Sequence, residues 1–304
     1  MSVFASLLRT AYRVSGAKKA FALPEDKIVP VIEKQNRHRG VFVPTDRKAY
    51  YETIDVSGFP CLIVREKPQP AKRAILYFFG GGMVIGPDKG DLPVMRKLGR
   101  DTGCDVWFPF YPLCTEHCIT TSYAMVFECY RRMIDLYGGG NVSTCGFSSG
   151  GALALGIAAH NNALGAPLPP PRHIVAVSPG EVPWNDAEKA RMQALNDKDV
   201  SIDYAFVTLV EKFMRHGQEN VPDYMISGSR GDFSGVGDIH FFVQCRRGAL
   251  RRAAGLRSRL STGARSPYRF RPAGHGALLL YAPLFQGSER GLRQDHGDSE
   301  KMKR

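Results

Sequence analysis

The sharpest chemical signal in this 304-residue sequence is the run Cys145-Gly146-Phe147-Ser148-Ser149-Gly150-Gly151. It sets a Gly-x-Ser-x-Gly between an apolar run, Val142 to Cys145, and a small-residue segment, Ala152 to His160. A serine forced onto a tight strand-to-helix turn takes a strained backbone conformation, so the positions two before and two after it must lack bulk. Gly146 and Gly150 meet that demand. The Ser148 hydroxyl would then project clear of the sheet at the N-terminus of a helix, where the dipole favours developing negative charge. With 32 glycines in the chain such a pattern also arises by chance, and its weight comes from its placement between strand and helix.

A second signal is Leu76-Tyr77-Phe78-Phe79-Gly80-Gly81-Gly82-Met83, an apolar run that enters three glycines directly. Glycine there uncovers backbone N–H groups, which can point at an oxyanion. The alternatives are a flexible turn or a dinucleotide loop. The latter requires Gly-x-Gly-x-x-Gly, and Gly80-Gly81-Gly82 followed next by Gly86 misses that spacing by one.

The strand with its triple glycine resembles the His-Gly-Gly-Gly motif of the hormone-sensitive-lipase family of α/β-hydrolases, with Phe79 in place of the histidine. Tyr111-Pro112-Leu113-Cys114-Thr115-Glu116-His117 is similar to that family's Tyr-Arg-Leu-Ala-Pro-Glu-His, and Ser148 falls in its nucleophile elbow. Val177-Ser178-Pro179-Gly180 and Gly231-Asp232-Phe233-Ser234-Gly235 resemble two further family segments, in family order. The resemblance implies an α/β-hydrolase fold, a mostly parallel sheet flanked by helices under a helical lid. It also implies hydrolysis of carboxylic esters of small to medium acyl groups through an acyl-serine, with no cofactor and no metal. Carried over by position, Ser148 is the nucleophile, and the N–H groups of Gly81, Gly82 and Ser149 hold the oxyanion, each donor contributing about 3 kcal/mol.

The family places its triad acid just after the strand equivalent to Ile239 to Val243, and its histidine about thirty residues later. Here that strand runs into Gln244-Cys245-Arg246-Arg247-Gly248, and no Asp or Glu occurs from Ile239 to Ser288. A shifted reading frame accounts for this. Gln244 to Leu250 can be written in codons that, read one base later, encode Ser-Ala-Asp-Glu-Ala-Leu, a segment of the family's acid-bearing type. The same offset over Arg271 to Ala282 permits a run similar to the family's histidine segment. In the chain as it stands, His275 in Ala273-Gly274-His275-Gly276 is the candidate base. Under the shifted reading its codon overlaps the family's methionine instead. Asp238, at the start of its strand, would face the wrong end of the sheet. A second reading therefore stands beside the esterase: a catalytically impaired α/β-hydrolase-fold protein lacking the acid and base of the triad.

These residues must be positioned by strands alternating with helices. Expected strands are Ala74 to Phe79, Cys104 to Phe110, Val142 to Cys145, His173 to Val177 and Ile239 to Val243. Tyr123, Phe127, Tyr130, Ile134 and Tyr137 recur at helical spacing, with Glu128, Arg131, Arg132 and Asp135 on the opposite face. Residues 1 to 45 read as an N-terminal helical lid segment and 46 to 243 as the hydrolase core, with a second lid segment at about 185 to 225. Residues 244 to 304 form an anomalous basic tail in place of the last strands and helices.

Apolar residues at 43% and charged residues at 23% are those of a folded globular chain. Most of the net charge of +12 resides in the tail: residues 245 to 304 hold 14 Lys/Arg against 4 Asp/Glu, leaving 27 against 25 before them. Such a tail suggests a nucleic-acid or anionic-membrane arm. Its aromatics are sparse, however, and the apolar run Ala277 to Leu280 suits no such arm, so neither partner is expected. Seven cysteines without a Cys-x-x-Cys pair point to reduced thiols and a cytoplasmic location. No stretch approaches the ~20 apolar residues of a membrane span. Nothing in the sequence sets the oligomeric state.

Overall fold

The computed structural model describes residues 17–165, 167–199, 202–243 and 268–272. Helices α1 (Ala17–Phe21) and α2 (Glu25–Asn36) precede a hairpin of β1 (Tyr50–Val56) and β2 (Phe59–Arg65). Strands and helices then alternate: β3 (Ala74–Phe78), α3 (Asp91–Thr102), β4 (Asp105–Pro109), α4 (Ile119–Tyr137), β5 (Val142–Phe147), α5 (Ser149–Ala163) and β6 (His173–Val177). A helical block of α6 (Asp186–Ala194), α7 (Tyr204–Arg215) and α8 (Asp223–Ile226) leads to β7 (Asp238–Val243) and β8 (Tyr268–Pro272).

The eight strands form one sheet in the order β1-β2-β4-β3-β5-β6-β7-β8. β1, β2 and β4 pair antiparallel, and every pair from β4 to β8 is parallel. Each residue of β3 and β4 is buried, as crossover helices covering both faces of a parallel sheet require. That is why both strands read as unbroken apolar runs. Because β3 and β5 to β8 run the same way, their C-terminal ends share one edge, where ligands of such sheets bind.

The expected fold class holds, and the five expected strands appear with shifted ends. β5 runs on to Phe147, so the strand reaches Ser148 itself. Three strands lie outside the expected set. β1 is half-exposed at the sheet edge, and the hairpin turn at Ser57 and Gly58 takes positive φ at both positions (57° and 83°), the geometry of a tight hairpin turn. β8 lies within the basic tail and pairs with β7 from Ile239↔Tyr268 to Val243↔Pro272. Tyr123, Tyr130, Ile134 and Tyr137 of α4 are buried as their spacing requires, while Phe127 is partly buried. Among the described residues no helix is long and apolar enough to cross a membrane.

One buried carboxylate ties the N-terminal end of the sheet together. Asp105, 2% exposed, accepts from the Tyr137 hydroxyl at 2.8 Å, from Ala71 N at 3.0 Å and from Arg65 Nε at 3.3 Å. Trp107 Nε1 in turn donates to the Tyr137 oxygen at 3.1 Å. Removing the carboxylate strands three donors, while the Arg65 guanidinium keeps only its pairing with Glu52. Asp105→Ala is therefore expected to lower stability by about 3 kcal/mol, read as a drop in urea midpoint with unchanged slope, whereas Tyr137→Phe should cost about 1 kcal/mol.

Candidate active site

β5 delivers Ser148 at φ 54° and ψ −124°, after which α5 begins at once. Such a conformation costs of order 1–3 kcal/mol for a residue with a side chain and persists only where its surroundings over-determine it. They do. Ser148 N donates to Val177 O at 2.9 Å, and Ser148 O accepts from Gly180 N at 2.9 Å and Ala152 N at 3.1 Å. The flanking glycines are sterically compulsory. A Cβ on Gly146 would sit 2.1 Å from Gly150 O, and one on Gly150 would sit 2.3 Å from both Phe78 O and Phe79 O.

The triple-glycine loop lies against this turn. A Cβ on Gly80 would stand 2.9 Å from Phe147 O and 3.3 Å from Ser148 Cβ. Gly81 and Gly82 follow at φ 141° and 64°, and Gly81 O closes the loop by accepting from Ile85 N at 2.9 Å. Among the described residues no backbone carbonyl accepts from the amides of Gly81 or Gly82.

Phe79, where the resembled motif has histidine, stacks on Tyr111 with ring centroids 4.0 Å apart and 3° between planes. The Tyr111 hydroxyl donates to Phe79 O at 2.8 Å, and burial pushes that phenol's pKa well up, so it stays a donor. Cys114 N donates to Met83 O at 2.7 Å. The Tyr111 to His117 segment thus grips the glycine loop at both of its ends. The loop keeps its shape without the histidine.

Above Gly82 sits α7. The position of a Gly82 Cβ lies 3.0 Å from Phe206 Cε1 and 3.5 Å from Val210 Cγ2, and the Phe206 ring packs at 4.3 Å on Phe21 of α1. Both helical segments outside the core therefore meet over the glycine loop. Sequence reading did not single out Phe206 or Val210. The helical periodicity that makes Phe206, Val210 and Met214 one buried face of α7 was the available signal.

Ser148, Ser149, Gly81 and Gly82 lie at this edge, and His275, the expected base, lies outside the described residues. The chain leaves β8 at Pro272, shortly before it. The described histidines near the elements are otherwise engaged. His160 Nδ1 lies 2.8 Å from the Tyr224 hydroxyl, His216 Nδ1 lies 3.4 Å from Cys114 O, and His117 packs edge-on against Phe59. Asp238 begins β7, at the sheet edge opposite Ser148, as expected from its place in the strand. On the Ser148 side, Glu181 follows Gly180 and accepts from Ser229 Oγ at 2.6 Å, Ser229 N at 3.2 Å and the Ser227 hydroxyl. It was overlooked because it belongs to no motif.

At the start of α3, burial raises the Asp91 carboxyl from an ordinary 3.8 to about 6. The folded state then binds this proton more tightly than the unfolded chain, so stability falls as pH rises from about 4 through 6. Asp91→Asn, which keeps an acceptor for the Asp88 amide 3.2 Å away, should raise the urea midpoint at pH 7 and leave it nearly unchanged at pH 4. Gly146→Ala is expected to cost about 3 kcal/mol or more, measured by denaturant unfolding, since the obstructing atoms are backbone.

A family model described as alpha/beta hydrolase fold matches residues 75–270. No curated protein matches the sequence. Among solved structures, an esterase from the bacterial hormone-sensitive lipase family superposes with a TM-score of 0.70 at 19% identity, covering 94% of each chain. An esterase/lipase from an uncultured bacterium gives 0.71 at 18% identity, over 94% of this chain and 98% of that one. A putative esterase from Staphylococcus aureus gives 0.68 at 22%, over 82% and 85%. With a strained serine between β5 and α5, a glycine turn leaving β3, the strand order given above and a family model spanning well over half its length, the chain belongs to the α/β-hydrolase fold family.

Proposed function

We propose that the chain is a serine carboxylesterase with Ser148 as nucleophile. The observation that carries this reading is the contact between the Ser148 turn and the glycine loop, with Gly80 approaching Ser148 Cβ. Ser148 Oγ attacks the ester carbonyl carbon, and the carbonyl π-pair moves onto oxygen. The oxyanion is held by the N–H groups of Gly81, Gly82 and Ser149, the last at the N-terminus of α5. Collapse expels the alcohol and leaves an acyl-serine, which water hydrolyses. His275, in the segment that follows β8, is the residue assigned to take the serine proton and pass it to the leaving alcohol. Phe206 and Val210 over Gly82 support a limit to small and medium acyl groups. The six described cysteines are free and buried, which agrees with a reducing cytoplasmic setting.

A second reading is favoured by one fact: no Asp or Glu lies between Ile239 and Ser288. Without an acid to orient the histidine, the fold would retain the serine and oxyanion donors yet turn over slowly, as triad knockouts do. The readings separate by fluorophosphonate labelling and p-nitrophenyl acetate hydrolysis. The esterase reading expects stoichiometric labelling lost in Ser148→Ala and a fall of up to about 10⁶ in kcat for His275→Ala. A folded protein that stays unlabelled sinks it in favour of the second. Phe206→Ala should raise the octanoate-to-acetate rate ratio about tenfold, measured with the two p-nitrophenyl esters.

A further inference from the structure

The sheet edge opposite Ser148 carries a second group of side chains able to do chemistry. His173 and Asp238 are register partners at the starts of β6 and β7, and His240 pairs opposite Val175 two residues further along. Period-two alternation puts all three on one face of the sheet. One donor atom from each lies within 4.8 Å of the others, His173 Nδ1 stands 3.7 Å from Asp238 Oδ2, and the two imidazole rings are 5.9 Å apart.

That separation is long for a hydrogen bond and close to what a shared ion needs. Tetrahedral bonds of about 2.0–2.1 Å place neighbouring ligand atoms about 3.4 Å apart. The remaining closure falls within the reach of side-chain rotation, because His173 and Asp238 are surface-accessible, with side chains 18% and 49% exposed.

We propose that His173, Asp238 and His240 form a binding site for a divalent transition-metal ion, with water as the fourth ligand, that clips β7 to β6. Two imidazoles and one carboxylate select zinc-like ions over magnesium or calcium, which prefer all-oxygen shells. The site lies at the N-terminal edge of the strands, away from Ser148, so its role is to hold β7 to β6 beside the point where Ile239 pairs with Tyr268 of β8. Arg172 Nε donates to His173 Nε2 at 3.3 Å. Coordination through Nδ1 leaves Nε2 protonated, so the guanidinium must turn away toward Gly140 O, which its Nη1 already approaches at 3.4 Å. Arg172 is thus a competitor of the metal, and deleting it should tighten binding.

The test uses the full chain, stripped with chelator and titrated with Co²⁺ and then Zn²⁺. One Co²⁺ per chain with the visible d–d bands of a four-coordinate ion is expected, displaced by Zn²⁺, with Zn²⁺ raising the thermal midpoint and Mg²⁺ leaving it alone. Asp238→Asn and His240→Gln should each weaken Co²⁺ binding at least tenfold, and Arg172→Ala should strengthen it. Should His240→Gln fail to fold, the exposed Asp238→Asn carries the result. Absence of the bands, affinity unchanged in Asp238→Asn, or a near-ultraviolet thiolate charge-transfer band, which would place the ion on cysteine, each overturns the proposal.

Discussion

Backbone meets backbone around Ser148, and the candidate active site depends on that approach. Gly146, Gly150 and Gly80 each bring a main chain to within a distance that a single methyl group would block. The close fit lets the carbonyls of Val177 and Ser148 and the amides of Gly180 and Ala152 hold the serine in a conformation it would otherwise abandon. The same contact sets the glycine loop beside the serine. Strain at Ser148 and proximity of the glycine loop therefore have one cause, the close packing of main chain at Gly80, Gly146 and Gly150.

The departures from the resembled family show which features this site tolerates losing. Phe79 replaces a histidine, yet its ring stacks on Tyr111 and its carbonyl takes the Tyr111 hydroxyl. An apolar contact and one buried hydrogen bond fix the loop's entry, and Cys114 fixes its exit. The missing acid after β7 has no such replacement among the described residues. Glu181 sits on the correct edge, but its carboxylate is taken up by Ser227 and Ser229.

The two edges of the parallel sheet differ in kind. At the C-terminal edge the strands open into turns, with amides and a helix N-terminus that favour negative charge. At the N-terminal edge lie Asp105 among its donors at β4, and His173, Asp238 and His240 at β6 and β7. The first presents main-chain donors and the second side chains already held by partners.

Local signals in the sequence were enough for the alternation of strands and helices, the tight turn at Ser148 and the central strands, because each is a short-range matter; the hydrolase fold class came from the family resemblance. Apolar runs mark strands covered on both faces, the spacing of Tyr123, Tyr130, Ile134 and Tyr137 marks one face of a helix, and glycines mark where bulk is forbidden. The β1–β2 hairpin was missed although Ser57-Gly58 between two strand-like runs is a turn signal, since β1 is an edge strand with an exposed, polar face. β8 was hidden by its arginines, and its place follows from pairing with β7 rather than from pattern. That Phe206 of α7 and Phe21 of α1 would meet over Gly82, and that His173 would face Asp238 and His240, could come only from tertiary structure. Contacts between distant segments depend on strand order and helix packing, and no local spacing encodes which residues those bring together.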